Sequence, residues 1–416
     1  MEQQTVTNIT PYLSEWKQSL QNNMIGKKLS ELRTPSLVID KTILERNCQQ
    51  LGKIHTELNT NIRIHVKTHK TVEAARIQLE GAKSDAIVVS TLAEAYFMIE
   101  SDLVKDQLLK QVLLGFPITP DKFDDLFKLS RKVASFQIFI DNPSTLDALE
   151  SYCRLRNESL KANVFLKIDC GYGRAGIPVD QEESIELARR LQASEHVNFL
   201  GIYSHAGHSY ASQTANAALE YLENECNSAR AFRDRFEQHG ITIKTISIGA
   251  TPTVKAIIRF MDDARIKSIL QGITEVHAGA YAFLDRQQVS TTLGTLDDVA
   301  VSVMGRVASK YPSRHSILID AGGLALSKDI APQGGFGYVL LDLKHKKPVA
   351  TVSKVSQEHG IITDIDQELF SSLHIGQIVH IVPNHCCLTC ACHLYYVVIE
   401  EGNDTVVDVW VPVKGW

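Results

Sequence analysis

The chain has 416 residues, with 44% apolar and 22% charged side chains, the balance of a soluble globular protein too long for one ordinary core. Its 43 basic and 48 acidic side chains leave a net charge of −5, so no basic field invites nucleic acid. No apolar run approaches bilayer length, and eight cysteines without a framework spacing favour reduced thiols over disulfides.

The opening MEQQTVTNITPYLSEW lacks a basic stretch followed by an apolar core, so no secretion leader is read and a cytoplasmic protein is expected. The first strand is Ser36–Asp40, followed by a helical pattern from Thr42 to about Leu58. Strand-like runs then recur at Ile62–Lys67, Ala86–Ser90, Gln111–Gly115, Phe136–Ile140, Val164–Asp169, Phe199–His205, Thr245–Gly249 and Ile273–His277. Helical stretches such as Glu182–Ser194 and Ala217–His239 separate them. Strict alternation predicts a parallel sheet, and eight repeats predict a closed (β/α)8 barrel over an open doubly wound sheet. After about residue 288 short β-rich runs take over: Val301–Val307, Ser316–Asp320, Pro348–Val355, Ile378–Val382, Tyr395–Ile399 and Thr405–Val413. The expected organisation is an N-terminal segment 1–40 whose strand joins a β-domain, a barrel over 41–288, and a mostly-β domain over 289–416.

In such a barrel, reactive groups sit where strands end. The first barrel strand ends in HVKTHK, residues 65–70. Alternation puts His65 and Lys67 on one face, and a lysine at the inner end of a buried strand would be desolvated and nucleophilic toward carbonyls. A buried lysine paired with a carboxylate is the plainer alternative. Later strands end in Asp169–Arg174, Tyr203–Tyr210, Gly249–Thr253 and His277–Tyr281. The glycines Gly249 and Gly279 and the hydroxyls of Thr251 and Thr253 suit a phosphate cradle, since barrels often bind phosphate at their last two loops; two ordinary tight turns are the alternative. Near the C-terminus, Asn384–His393 packs His385 and four cysteines together. In an extended segment His385 and Cys387 share a face and could hold part of a zinc site, with Cys386 turned away. A CxxC site from Cys387 and Cys390, or inert buried thiols, compete with that reading.

Taken together, HVKTHKT, KIDCGYGRAG, YSHAGHSY, IGATPT, VSQEHG, VPNHCCLTC and the closing DVWVP resemble the zinc- and pyridoxal-phosphate-dependent D-serine dehydratases of the alanine-racemase-like fold. The resemblance runs from about Thr34 to the C-terminus with the motifs in the same order. It implies that Lys67 carries pyridoxal phosphate and is the catalytic base, that Arg174 approaches the cofactor ring, and that His385 and Cys387 bind Zn2+. It places Tyr203, His205, Tyr210, Gly249, Ala250, Thr251, Gly279 and Tyr281 in the cofactor-facing loops. A homodimer acting on a small D-hydroxy amino acid would follow.

Two departures stand out: Ala278-Gly279-Ala280-Tyr281 where relatives commonly have Pro-Gly-Asn-Tyr, and Gly249-Ala250-Thr251 in place of a serine-rich loop. Cys386, Cys390 and Cys392 are additional thiols. Within the same fold, D-threo-3-hydroxyaspartate dehydratase and D-threonine aldolase are the rival activities. In the aldolase a carboxylate takes the place of Cys387 and harder ions serve, so a thiolate here favours zinc and dehydration. A non-catalytic pyridoxal-phosphate carrier is the rival of another class, but such proteins resemble the barrel alone.

Overall fold

Residues 10–416 are described by a computed structural model. Residues 1–9, part of the stretch read for a leader, lie outside the described residues. The chain divides into two compact units: one comprises residues through Cys48, Thr68–Glu73 and Ala280–Pro412, the other Gln49–Lys67, Ala74–Gly279 and Val413–Trp416.

The second unit is the barrel. Its parallel strands are β2 (Asn61–His65), β3 (Ala86–Val89), β4 (Gln111–Leu114), β5 (Ser135–Ile140), β6 (Ala162–Lys167), β7 (Val197–Tyr203), β8 (Thr245–Ile248) and β9 (Glu275–Ala278). They pair in chain order, and β9 closes onto β2 with Ile64 opposite Ala278. The strands are aliphatic runs because each is covered on both sides, by helices outside and by neighbours within. Val88, Leu113, Phe139, Phe165 and Tyr203 fill the interior as one apolar cluster.

On five of the barrel strands, β2, β4, β5, β8 and β9, part of the filling is polar. Arg63 holds Glu275 through Nε–Oε1 at 2.8 Å and Nη2–Oε2 at 3.1 Å. Arg63 Nη2 and Gln137 Nε2 both donate to Gln111 Oε1, and Ser247 Oγ donates to Glu275. A buried guanidinium is tolerable only with such a bidentate carboxylate.

The first unit is built on a nine-stranded sheet. Its strands are β1 (Ser36–Asp40), β10 (Val301–Tyr311), β11 (Ser316–Ile319), β12 (Tyr338–Leu340), β13 (Ala350–Val355), β14 (Gly360–Ile362), β15 (Ile378–Val382), β16 (Tyr396–Ile399) and β17 (Asp408–Trp410). The order is β11-β14-β13-β12-β15-β10-β1-β16-β17, and β11 pairs again with β10. As the sequence predicts, the early strand joins this sheet: β1 runs antiparallel to β10 and parallel to β16, buried along its whole length. Val38, Met304, Val397, Ile399 and Val409 pack around it.

Three local readings need correction. The first barrel strand stops at His65, so Lys67 lies in the turn beyond it. The segment after His385 is a helix, Cys386–Cys392, with His385 as its extended N-cap, because the N-cap position rather than a strand ends the run from β15. The strands β12 and β14 were not anticipated; at three residues each they are too short to show an alternating pattern.

Candidate active site

At the strand ends of the barrel three imidazoles and a phenol meet. His277 Nε2 donates to the Ser204 carbonyl at 2.8 Å, which fixes its proton there and leaves Nδ1 as an acceptor. His65 Nε2, 3.1 Å away, therefore donates to His277 Nδ1, and Tyr203 Oη shares that N–H at 3.2 Å. The Tyr203 and His277 rings stack, with centroids 4.1 Å apart. His205 Nδ1 donates to the Gly249 carbonyl at 2.8 Å. Burial first, and neighbouring charged or imidazole groups second, hold His65, His205 and His277 well below the ordinary imidazole range, so all three are neutral.

The sequence placed a desolvated lysine at Lys67, but that side chain is exposed. The buried lysine is Lys167, the last residue of β6, 6% exposed. Its Nζ lies 4.6 Å from the Tyr203 ring centroid and 5.2 Å from that of Phe139. Burial, reinforced by Arg174, lowers its pKa to about 8 against the opposing pull of Glu225, Cys170 and Asp141. The motif KIDCGYGRAG begins with this lysine, but sequence reasoning assigned a role only to Arg174 within it; unlike Lys67, which lies beyond the end of β2, Lys167 is the last residue of its strand. Beyond it, the loop to Arg174 is shaped by Asp169, whose Oδ1 accepts from the backbone N–H groups of Gly171, Tyr172 and Gly173. Arg174 itself is exposed, its guanidinium 5.1 Å from the Tyr172 ring centroid.

The loop after β8 has the makings of an anion cradle. Gly249 has φ +141°, and a Cβ there would stand 2.4 Å from the His277 carbonyl oxygen. Gly279 is similarly closed, with a Cβ falling 2.8 Å from His65 Cβ. Ala250 caps the helix Thr251–Arg259, whose first-turn N–H groups have no intrahelical acceptor. Thr253 is not available to a phosphate as expected: its hydroxyl accepts from Ala250 N–H and donates to Ala250 C=O. Thr251 is the open one, 1% exposed with Oγ1 lacking a partner among the described residues. The turn Gly207–Ala211, which carries the half-buried Tyr210, packs against this helix and brings a second buried hydroxyl, Ser209 Oγ, that has no partner among the described residues. Tyr281 lies in the other unit, fully buried, with its hydroxyl on the Cys48 thiol.

In the first unit, His385 and Cys387 come together at the start of the helix Cys386–Cys392. His385 Nδ1 is 2.5 Å from Asp329 Oδ2, leaving Nε2 as its outward nitrogen. Cys387 Sγ is 3.1 Å from Thr68 Oγ1. The Cys386 N–H donates to the buried Asp285, and Asn384 ties the turn down through Arg286, Asp329 and Gly335. Burial alone would lower the His385 pKa; Cys387, Asp285 and Asp329 outweigh it and push it up to about 9. Among the described residues no group of three or more His, Cys, Asp or Glu side chains gathers as a complete metal centre. Asp329 and Thr68 were not singled out from sequence; neither sits in a motif, and only tertiary contact reveals them.

A closed eight-stranded parallel barrel in one chain with a mostly-β domain is the alanine-racemase-like architecture. Residues 39–285 match the family model "Alanine racemase, N-terminal domain", and residues 300–399 match "Putative serine dehydratase domain". The D-serine dehydratase of Schizosaccharomyces pombe is 34% identical over 97% of both chains, and that of Saccharomyces cerevisiae 32% identical over 94% of this chain and 98% of its own. The solved D-threo-3-hydroxyaspartate dehydratase of Delftia sp. HT23 superposes with a TM-score of 0.83 at 26% identity, covering 94% of this chain and all of its own. The chain belongs to the D-serine dehydratase family, which is pyridoxal-phosphate-dependent. No helix among the described residues is long and apolar enough to cross a membrane.

Proposed function

We propose that this chain converts D-serine to pyruvate and ammonia by β-elimination of the hydroxyl, using pyridoxal phosphate and zinc. The observation that carries the reading is Thr68. Its hydroxyl lies 3.1 Å from Cys387 Sγ, and it follows Lys67 directly in the chain.

The residues fit both groups. For the cofactor, Lys67 offers an accessible primary amine, and the phosphate has Gly249, the start of the helix Thr251–Arg259 and the Thr251 hydroxyl, which has no partner among the described residues. For the metal, His385 and Cys387 are a borderline-to-soft pair suited to zinc, and Asp329 fixes the imidazole as carboxylates do for metal-bound histidines. Two protein ligands leave coordination positions for water and substrate. When bound, pyridoxal phosphate supplies a sink for the electron pair left on Cα, and zinc supplies a Lewis acid for the departing β-hydroxyl.

The chain's own residues do the rest. Lys67 Nζ takes the Cα proton as general base. The neutral His65–His277 pair and Tyr203 line the barrel mouth without adding charge. Lys167, beneath, is cationic below a pH of about 8 and stands where the carboxylate of a D-amino acid would find a counter-charge. The family resemblance adds a homodimer to this reading, and the scattered, unframed cysteines add a cytoplasmic setting. A soft thiolate at Cys387 argues against the aldolase alternative. The 27% identity to the Delftia D-threo-3-hydroxyaspartate dehydratase keeps a larger acidic substrate as the second reading.

A panel of D- and L-hydroxy amino acids, with and without chelator, tests this. Pyruvate should form from D-serine and cease on zinc removal. Oxaloacetate from D-threo-3-hydroxyaspartate with no pyruvate from D-serine would select the second reading. Chelator-resistant turnover would remove zinc from the mechanism. Lys67→Ala should abolish the visible absorbance of the bound cofactor; survival of that band would displace Lys67 from its role.

A further inference from the structure

The helix Ala215–Gln238 packs against both β8 and the helix Thr251–Arg259, and it carries a carboxylate, Glu225, that is 1% exposed. Its Oε1 accepts from the Gly249 N–H at 3.1 Å and from Ser204 Oγ at 2.5 Å. Its Oε2 is buried with no partner among the described residues. An acidic side chain thus grips, from behind, the glycine that opens the cradle assigned above to a phosphate. A fully ionised carboxylate here would repel the anion and leave a lone pair unmet.

We propose that Glu225 is a positioning residue for the anion cradle, and that the cradle binds its anion together with a proton taken up by Glu225. The inference rests on the reading of Gly249–Thr251 as the phosphate site. Protonation at Oε2 keeps the Oε1 contacts to Gly249 and Ser204 while removing the negative charge behind the loop.

The surroundings single out Glu225 as the titrating group. Burial raises its pKa to about 6, against the Ser204 and Gly249 hydrogen bonds, the charge of Lys167 and, least of all, the Ala206 N–H nearby. Cys170, beyond β6, is pushed up to about 12 by burial and then by Glu225. Burial also raises Tyr203 on β7 and Cys226 on the same helix, so all three stay neutral. His208, from the turn Gly207–Ala211, is lowered by burial against a weak pull from Asp169. Lys167 on β6 loses its proton only near pH 8. The sign follows. A bound anion favours protonated Glu225, so affinity is high below its free-state pKa and declines as pH rises through about 6.

Sulfate is the suitable probe, because it remains a dianion throughout this range and forms no bond to Lys67. Its binding to the full-length chain freed of cofactor is measured by calorimetry between pH 5 and 8, in buffers of differing ionisation enthalpy. The wild type should lose roughly tenfold in affinity across the Glu225 transition, one unit of pKa shift, with net proton uptake on binding. Glu225→Gln keeps an acceptor for Gly249 and Ser204, so it should bind at the tight plateau without that loss; only the decline near pH 8 from Lys167 should remain. Ser204→Ala removes a bond that lowers the Glu225 pKa, so the loss should move to higher pH, which keeps the test open should the glutamine variant fail to fold. Parallel pH profiles in wild type and Glu225→Gln, or no proton uptake in the wild type, would overturn the role of Glu225 alone. Failure of sulfate to compete with pyridoxal phosphate at pH 6 would overturn the cradle assignment underneath it.

Discussion

Replacing Gly249 by alanine probes the cradle with a single methyl group. The residue has φ +141°, a conformation that costs an L-residue about 1–3 kcal/mol. The new Cβ would also sit 2.4 Å from the oxygen and 3.0 Å from the nitrogen of His277. Both are backbone atoms of β9, the parallel neighbour of β8 in a closed barrel, so neither strand can move aside freely. Overpacking of this kind adds about 1–3 kcal/mol. The total is roughly 2–6 kcal/mol, with the methyl pushing the loop away from the Glu225 contact.

Gly240→Ala is the control without the close approach. It too has positive φ, +73°, but nothing lies within 4 Å of its would-be Cβ, so only the conformational part applies. In urea unfolding, compared at equal slope, Gly249→Ala should lose more than Gly240→Ala by at least the steric part of about 1–3 kcal/mol, with the harsher φ of Gly249 adding to the difference. Sulfate affinity should fall in Gly249→Ala and be unchanged in Gly240→Ala. Equal stability losses, or equal sulfate affinities, would refute the argument that the Gly249–His277 approach shapes the site.

Two further outcomes are expected. Asp329→Asn weakens the hydrogen bond that orients His385 and should lower zinc affinity about 10- to 100-fold in a chelator competition, and an unaltered affinity would show that Asp329 does not support the metal. Glu275→Gln leaves the Arg63 guanidinium buried in the barrel, with Nη1 already lacking a partner among the described residues, and should cost about 3–5 kcal/mol in denaturant unfolding. Arg63→Met combined with Glu275→Leu should recover most of that loss; a single variant within about 1 kcal/mol of wild type would mean the barrel interior is wetter than its packing implies.

The barrel was legible in the sequence because its signal is local and repeated. Each strand is an aliphatic run bounded by turn residues, and each crossover a helix-period stretch, so β2 to β9 could be read one after another. The membership of Ser36–Asp40 in the β-domain sheet was legible too, since it stands apart from the barrel repeat. The pairing of His385 with Cys387 was read from their residue types and an extended spacing. Their geometry was misread, because nothing in Asn384–His393 distinguishes an extended run from an N-cap opening a short helix.

What the sequence determined by itself was the alternation that makes the barrel and the inventory of reactive residues at its strand ends. Tertiary structure alone decided which of those residues are buried, which hydroxyls are already spent and which carboxylates stand behind the reactive groups. Exposure moved the desolvated lysine from Lys67 to Lys167, a backbone bond withdrew Thr253 and left Thr251, and packing set Glu225 behind Gly249 and Asp329 behind His385. The physical reason is that strand and helix patterns are written in neighbours along the chain, whereas desolvation and hydrogen-bond partnership depend on groups brought from tens or hundreds of residues away.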